Sequence, residues 1–283
     1  MIKSQSPIGL LGTGIIGSRV AAVLQSKGVP LFLWNRSPRL DSHFLSSPAQ
    51  VAHSSTILQI FVRDGVALLD VLEQLSPALT TNHLVLNHAT VSPEETFQAA
   101  ALVKKQGAQF LDAPFTGSRD AAAEGKLVYY LGGAQEAIQR AIPILELSSK
   151  KILPMGNIGT ATYLKIATNL IAGVQVQVLA EALAFLNIHK IPLHYLQEAL
   201  QYNAAFSTTL GMKLPLMLEG NFEPHFSVKN MLKDLQLALR SLQDHGISLP
   251  ATAATATALD DLFQSGFGDM DYSALANRYN YPD

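Results

Sequence analysis

The chain is expected to fold as an α/β protein: an N-terminal doubly wound sheet over residues 1–157, then an all-α domain over 158–283, joined by a long interdomain helix. Three observations predict this. In the first half, strand-length apolar runs bounded by Gly, Pro, Asn or Ser alternate with helix-length segments, and a parallel neighbour needs such a crossover because a tight hairpin cannot reach it. After Met155 the strand pattern stops, and 159–190 continues without proline, roughly 45 Å of helix at 1.5 Å per residue. The length, 283 residues, suits two domains of roughly 100–200 residues each.

Taken in order, the expected strands are 8–11, 31–34, 57–62, 84–87, 110–115, 127–131 and 151–153, and the helices between them 16–27, 65–75, 93–106 and 134–147. Asp64 stands where it would cap the second of these helices. Beyond the long helix, 193–202, 208–218, 228–245 and 251–265 read as helices, punctuated by Pro192, Gly211, Gly220, Pro224, Gly246 and Pro250. The most apolar stretch, 166–186, is interrupted by Asn169, Gln175, Gln177 and Glu181, so it reads as a buried helix and no membrane span is expected.

Composition narrows the function. The net charge is −2 with no Lys/Arg-rich run, which removes the electrostatic footprint of nucleic-acid or anionic-membrane binding. The absence of cysteine excludes disulfides, thiolate metal sites and a cysteine nucleophile. His189 and His194 are separated by a proline-broken segment with no carboxylate beside them, so no metal site is expected. The first residues, Met1 to Ser6, carry no apolar segment with a small-residue cleavage site, and a cytoplasmic location is expected. Charged residues are 15% against roughly 25% in average domains, which points to surface that packs on another subunit.

The strongest motif is Gly12-Thr13-Gly14-Ile15-Ile16-Gly17, between the first expected strand and the first helix. Gly12 permits the tight turn, Gly14 admits a pyrophosphate against the backbone, and Gly17 lets helix and strand approach, while the helix N-terminus offers amides and a positive dipole end. This is the Rossmann arrangement, and its ligand is a dinucleotide. After the second strand, where NAD-binding domains place a carboxylate on the ribose, stand Asn35, Arg36 and Ser37. Arg36 can pair with a 2′-phosphate and stack on adenine, with Asn35 and Ser37 adding hydrogen bonds, so NADP(H) is expected over NAD(H); the plain alternative is a solvated turn. At the opening of the long helix Lys165 and Asn169 are four apart and share a face. Further on, the segment beginning Phe226-Ser227 places Lys229 and Lys233 on one face of another helix.

In this order the motifs resemble the β-hydroxyacid dehydrogenase family, which includes 3-hydroxyisobutyrate dehydrogenases and glyoxylate/succinic semialdehyde reductases. The resemblance covers nearly the whole chain. The segment from Gly12 to Gly28 resembles the cofactor fingerprint, with Ile16 where methionine is usual; Asp112-Ala113-Pro114-Phe115-Thr116-Gly117-Ser118 resembles the substrate segment, its Gly117-Ser118 nearer the glyoxylate/succinic semialdehyde reductases. Gly159 through Lys165 to Asn169 resembles the catalytic segment, with Ala161 for a customary glycine and Thr168 for asparagine, and Lys233-Asp234-Leu235 the C-terminal signature. The resemblance implies Lys165 as general acid/base, Asn169 orienting it or the substrate, Thr116, Gly117, Ser118, Phe226 and Lys233 at a small carboxylate substrate, and Thr90 and Lys233 near the nicotinamide. The implied reaction is hydride transfer between NADP(H) and a small aldehyde or hydroxy acid of the glyoxylate or succinic semialdehyde class, with a 3-hydroxyisobutyrate-type substrate as alternative. A cofactor-binding scaffold or sensor without turnover is the alternative of another class, against which Lys165 and Asn169 argue.

The segment 159–190 is apolar on many sides, including Ile166, Leu170, Ile171, Val174, Val176, Val178, Leu179, Leu183, Phe185 and Leu186. A helix of that kind must be surrounded. A homodimer or a dimer of dimers is therefore expected, with Leu179 and Leu183 at the contact.

Overall fold

The computed structural model describes residues 7–37 and 42–279; the chain start and Pro38 of the expected Asn-Arg-Ser-Pro turn lie outside the described residues. The chain divides into two compact units, Met1–Lys165 and Ile166–Asp283. The division falls beyond the expected 157/158 boundary because the first turn of the long helix is hydrogen-bonded to the sheet unit, through Asp112 and Thr162.

In the first unit β1 (Ile8–Leu11), β2 (Leu31–Trp34), β3 (Ile57–Ile60), β4 (Leu84–Asn87) and β5 (Gln109–Asp112) form a parallel sheet in the order β2-β1-β3-β4-β5. Their crossovers are α1 (Ile15–Ser26), α2 (Pro48–Ser54), α3 (Gly65–Leu75) and α4 (Pro93–Lys105). Alternate strand residues enter two cores, as a sheet covered on both faces requires. Leu10, Leu33, Leu84, Leu86 and Leu111 join Val20 and Leu24 of α1 in one, whereas Leu11, Leu58, Ile60, Val85 and Phe110 join Leu68, Leu72 and Val103 in the other. Asp64 caps α3 as expected, accepting a hydrogen bond from Ala67 N at 3.0 Å.

The wholly parallel sheet that the alternation predicts is corrected beyond β5. The expected strand 110–115 is broken at Ala113-Pro114, since proline donates no ladder hydrogen bond, and β6 (Phe115–Thr116) and β7 (Leu127–Gly132) run antiparallel. The connection between them holds only the short helix α5 (Arg119–Ala123), which the sequence reading did not include. A parallel return needs about a dozen residues or more, usually with a full crossover helix. After α6 (Gln135–Leu145), β8 (Ser149–Gly156) lies parallel to β7, with register shifts between Leu127/Val128 and Leu131/Gly132. Lys150, Lys151 and Pro154 of this strand are exposed.

The long helix is α7 (Thr160–Ile188), 29 residues, and passes from the first unit into the second. The second unit is helical: α8 (His194–Gln201), α9 (Thr208–Glu219), α10 (Val228–Ser241) and α11 (Pro250–Leu262), closed by a π-helical turn at Phe263–Phe267 and a 3-10 segment at Tyr272–Tyr279. Val176, Leu179 and Leu183 of α7 pack with Leu214, Met231, Leu235, Leu259 and Leu275. The expectation that Leu179 and Leu183 lie at a subunit contact is thereby corrected: both are buried in the core of their own unit. Ile171, Val178, Phe185 and Ile188 occupy the exposed side instead.

Candidate cofactor and active site

Because β1, β2, β4 and β5 are parallel, the residues that follow them lie along one edge of the sheet, where open α/β sheets bind ligands. Gly12 to Gly17 follow β1, Asn35 to Ser37 follow β2, Thr90 follows β4, and Thr116 to Ser118 follow β5 through β6. The glycine loop has the geometry its spacing predicts. Gly12 has φ +98°, and a Cβ there would sit 2.1 Å from Phe61 O; a Cβ on Gly17 would sit 2.0 Å from Gly12 O. At Gly14 a Cβ would meet nothing within 4 Å. Two glycines are thus required by the protein's own packing, and the third faces open space at the start of α1, whose N-cap Gly14 contributes no side-chain cap. A cradle of backbone amides beside a positive helix end fits a dinucleotide pyrophosphate.

Asn35 braces this loop. Its Oδ1 accepts from Thr13 N at 3.1 Å, and its Nδ2 donates to Ser37 O at 3.1 Å. Arg36 and Ser37 are exposed. No carboxylate occupies positions 35–37.

The expected substrate segment is held from below. Gly117 has φ +139°, and a Cβ there would press within 2.8 Å of Leu127 Cδ2. Ser118 Oγ accepts from Ala121 N at 3.2 Å as the cap of α5, which leaves its O–H able to donate elsewhere. Below the segment, His88 Nδ1 lies 2.7 Å from Ala113 O and Nε2 3.1 Å from Gln59 Oε1, with the ring stacked on Phe61 at 4.3 Å. A carbonyl only accepts, so Nδ1 carries the proton. Burial holds the His88 ring neutral, down to about 4, against the opposing hydrogen bond to Ala113. A neutral ring offers a lone pair at Nε2, so the Gln59 amide belongs turned about, which gives Gln59 Nε2 the partner it otherwise lacks.

Lys165 ends the first unit and Asn169 opens the helical one, a turn apart on α7. Lys165 is 9% exposed, which sets it apart from an ordinary solvated lysine. Asn169 Nδ2 donates to Asp234 Oδ2 at 2.5 Å, and Lys233 Nζ lies 2.6 Å from Asp234 Oδ1. Buried Asp234, which the resemblance placed only within the Lys233-Asp234-Leu235 signature, therefore ties α7 and α10 together at two of the expected site residues. Gly173 permits that approach, since a Cβ there would stand 3.0 Å from Met231 Sδ. Lys229, by contrast, pairs with exposed Asp269.

Phe226 sits half-buried before α10, its ring edge-on to Tyr272 at 6.2 Å. Its N–H donates to Asp271 Oδ2 at 3.0 Å, as does that of His225. Asp271 also accepts from Ser273 N at 3.0 Å and from Lys213 Nζ at 2.7 and 2.8 Å. Burial alone would raise the Asp271 carboxyl, but Lys213 and these amides outweigh it and hold it below the ordinary carboxylate range. Neither residue stood out in the sequence.

A glycine-loop sheet unit ending in Lys165, followed in the chain by a helical unit carrying Asn169 and Lys233, marks a nicotinamide-dinucleotide oxidoreductase of two parts. Residues 7–156 match the NAD binding domain of 6-phosphogluconate dehydrogenase, and 159–279 the NAD-binding domain of NADP-dependent 3-hydroxyisobutyrate dehydrogenase. The chain belongs to the β-hydroxyacid dehydrogenase family. It is 28% identical to 2-hydroxy-3-oxopropionate reductase of Escherichia coli (95% of each chain), and 26% identical to glyoxylate/succinic semialdehyde reductase 1 of Arabidopsis thaliana (95% of this chain, 96% of that one). Cytokine-like nuclear factor N-PAC of Drosophila melanogaster is 25% identical over 99% of this chain, which spans 48% of that protein. Among solved structures, a 3-hydroxyisobutyrate dehydrogenase of Mycobacterium tuberculosis with L-serine superposes at a TM-score of 0.88, with 22% identity, covering 98% of this chain and 99% of that one.

Proposed function

We propose that the protein is an NADP(H)-dependent reductase of small aldehyde acids of the glyoxylate or succinic semialdehyde class, with a 3-hydroxyisobutyrate-type hydroxy acid as the alternative substrate. The observation that carries this reading is α7, where Lys165 and Asn169 lie a turn apart and Asn169 is fastened by buried Asp234. The bound cofactor would supply the hydride to the carbonyl carbon. Lys165 as ammonium stabilises the charge that develops on the carbonyl oxygen and gives it a proton; in the oxidative direction the neutral amine takes that proton back. Thr116, the Gly117 amide and the Ser118 O–H bind the substrate carboxylate, Lys233 adds positive charge, and Phe226 supplies an apolar wall. Arg36 just after β2, with no carboxylate at positions 35–37, supports NADP(H). The protein is further proposed to act as a homodimer or a dimer of dimers.

The test is NADPH consumption against a panel of small aldehyde acids, ketoacids and cyclic imines, with wild type and Lys165→Ala. Turnover of an aldehyde acid is expected, and Lys165→Ala is expected to lower kcat by roughly 100-fold or more with NADPH binding nearly intact, as for a positioned acid. Wild-type turnover by Lys165→Ala with chemistry rate-limiting would refute the assigned role. Inactivity on the whole panel would favour a cofactor-binding scaffold.

A further inference from the structure

The sheet unit contains a buried carboxylate that the reaction above does not use. Asp112 ends β5, and its carboxylate is hydrogen-bonded to the beginning of α7. Its Oδ2 accepts from Gly159 N at 3.2 Å and Thr162 N at 2.8 Å, and its Oδ1 accepts from Thr162 Oγ1 at 2.8 Å. Helix N-termini leave backbone N–H groups without intrahelical partners, and a carboxylate there meets the positive end of the dipole. In this chain the cap comes from a strand nearly fifty residues upstream (|i−j| of 47 and 50) rather than from the preceding residue.

Other contacts fix the same turn. Thr162 Oγ1 also lies 3.0 Å from Thr96 Oγ1 of α4. Gly159, at φ +93°, is seated against the Phe97 ring, where a Cβ would fall 2.7 Å from Cζ. Gly133 N donates to Gly156 O at 2.8 Å, holding the approach to the helix against β7. Where a helix begins, and how it is rotated about its axis, decides the direction of every side chain it carries. Lys165 follows Thr162 by three residues, about 4.5 Å along the axis and within about 60° around it.

We propose that Asp112 is a positioning residue for Lys165: by clamping Gly159 and Thr162 to the end of β5 it sets the start and rotation of α7, and so aims the ammonium that delivers the proton. The proposal rests on the catalytic reading of Lys165. Asp112 acts by position, so an uncharged isostere that still offers a carbonyl oxygen to the two amides replaces most of its effect.

The experiment uses the full chain with NADPH and whichever aldehyde acid the wild type turns over. Asp112→Ala, Asp112→Asn, Thr162→Val and Lys165→Ala are compared, together with Asp112→Ala in the Lys165→Ala background. kcat, KM, NADPH affinity and thermal midpoint are measured for each. Misplacement of a catalytic group by a fraction of an ångström to 1 Å should cost about 10- to 100-fold in kcat, so Asp112→Ala is expected in that range with NADPH affinity within about twofold. Asp112→Asn should recover the rate to within about threefold of wild type, and Thr162→Val should lower kcat about fivefold. In the Lys165→Ala background, Asp112→Ala should change kcat by less than about twofold, because a residue acting through Lys165 has nothing left to aim. An undiminished loss in that background overturns the proposal, as does an Asp112→Asn as slow as Asp112→Ala, or a Thr162→Val with wild-type kcat. Should Asp112→Ala fail to fold, Asp112→Asn and Thr162→Val decide. Wild-type turnover by Lys165→Ala would instead remove the catalytic reading beneath the proposal, a separate outcome.

Discussion

Arg36 and His88 show how much one residue decides here. On the proposed reading Arg36 gives NADPH a kcat/KM at least about tenfold above NADH, about 1.4 kcal/mol, and Arg36→Ala abolishes that ratio. Equal constants for the two cofactors in the wild type would refute it. Asn35 is a different case: its amide fastens Thr13 N to Ser37 O, so substitutions there disturb the glycine loop before they alter cofactor choice. His88 carries a pH dependence whose sign follows from burial. Its unfolded value is near 6.5 and its native value about 4. Between those values the unfolded chain binds a proton that the native chain refuses, so stability rises with pH across the window and is lost on acidification, by about 3 kcal/mol at the limit. Urea unfolding of the wild type and His88→Gln at several pH values reads this directly: the acid slope should shrink in the variant, and unchanged slopes would remove His88 as its source. The glycine loop and the Asp64 cap were legible because their signals are local. The reach of Asp112 to Thr162 and of Lys213 to Asp271 was not, since contacts 50 and 58 residues apart leave no mark in sequence spacing.

At the scale of elements, β1 to β5 stood out as short apolar runs bounded by Gly, Pro, Asn or Ser, and the helices α1, α3 and α4 because each buries one face on a helical period. The short helices α2 and α5 did not, having seven and five residues, too few for a helical period to register. The antiparallel turn from β6 to β7 was hidden because its strands look like any other apolar run. In the helical unit, the ion pair of Lys213 and Asp271 joins α9 to the segment before α10 and to the closing 3-10 turn, with Lys213 Nζ 4.6 Å from the Tyr272 ring centroid. Both side chains are buried. Lys213→Met leaves a buried carboxylate without its cation and should destabilise the unit by about 3–5 kcal/mol, whereas adding Asp271→Asn should restore part of that loss. Denaturant unfolding of both variants checks this, and a single variant as stable as the wild type would show that the pair contributes nothing.

For the molecule as a whole, α7 divides its apolar residues between two duties. Leu179 and Leu183 fill the core, while Ile171, Val178 and Phe185 recur every seven residues along the exposed side, with Ile188 three further on. A seven-residue apolar seam is the pattern by which one helix accepts another. The proposed homodimer is therefore expected to meet along this seam. Val178→Glu or Phe185→Glu should give a folded monomer by light scattering, and Leu179→Asp should unfold the helical unit instead. A wild type that scatters as a monomer at micromolar concentration would end the proposal.

β8 bears on how such a chain survives at high concentration. A terminal strand paired on one side offers its other side to any passing extended segment, and long smooth edges of this kind seed fibrils. Two lysines, a proline without an N–H to share, and two register shifts interrupt that invitation between Ser149 and Gly156. The edge is therefore a poor template for further strands, and the proposed homodimer is left to the helical half, where contacts between side chains can close on themselves and stop.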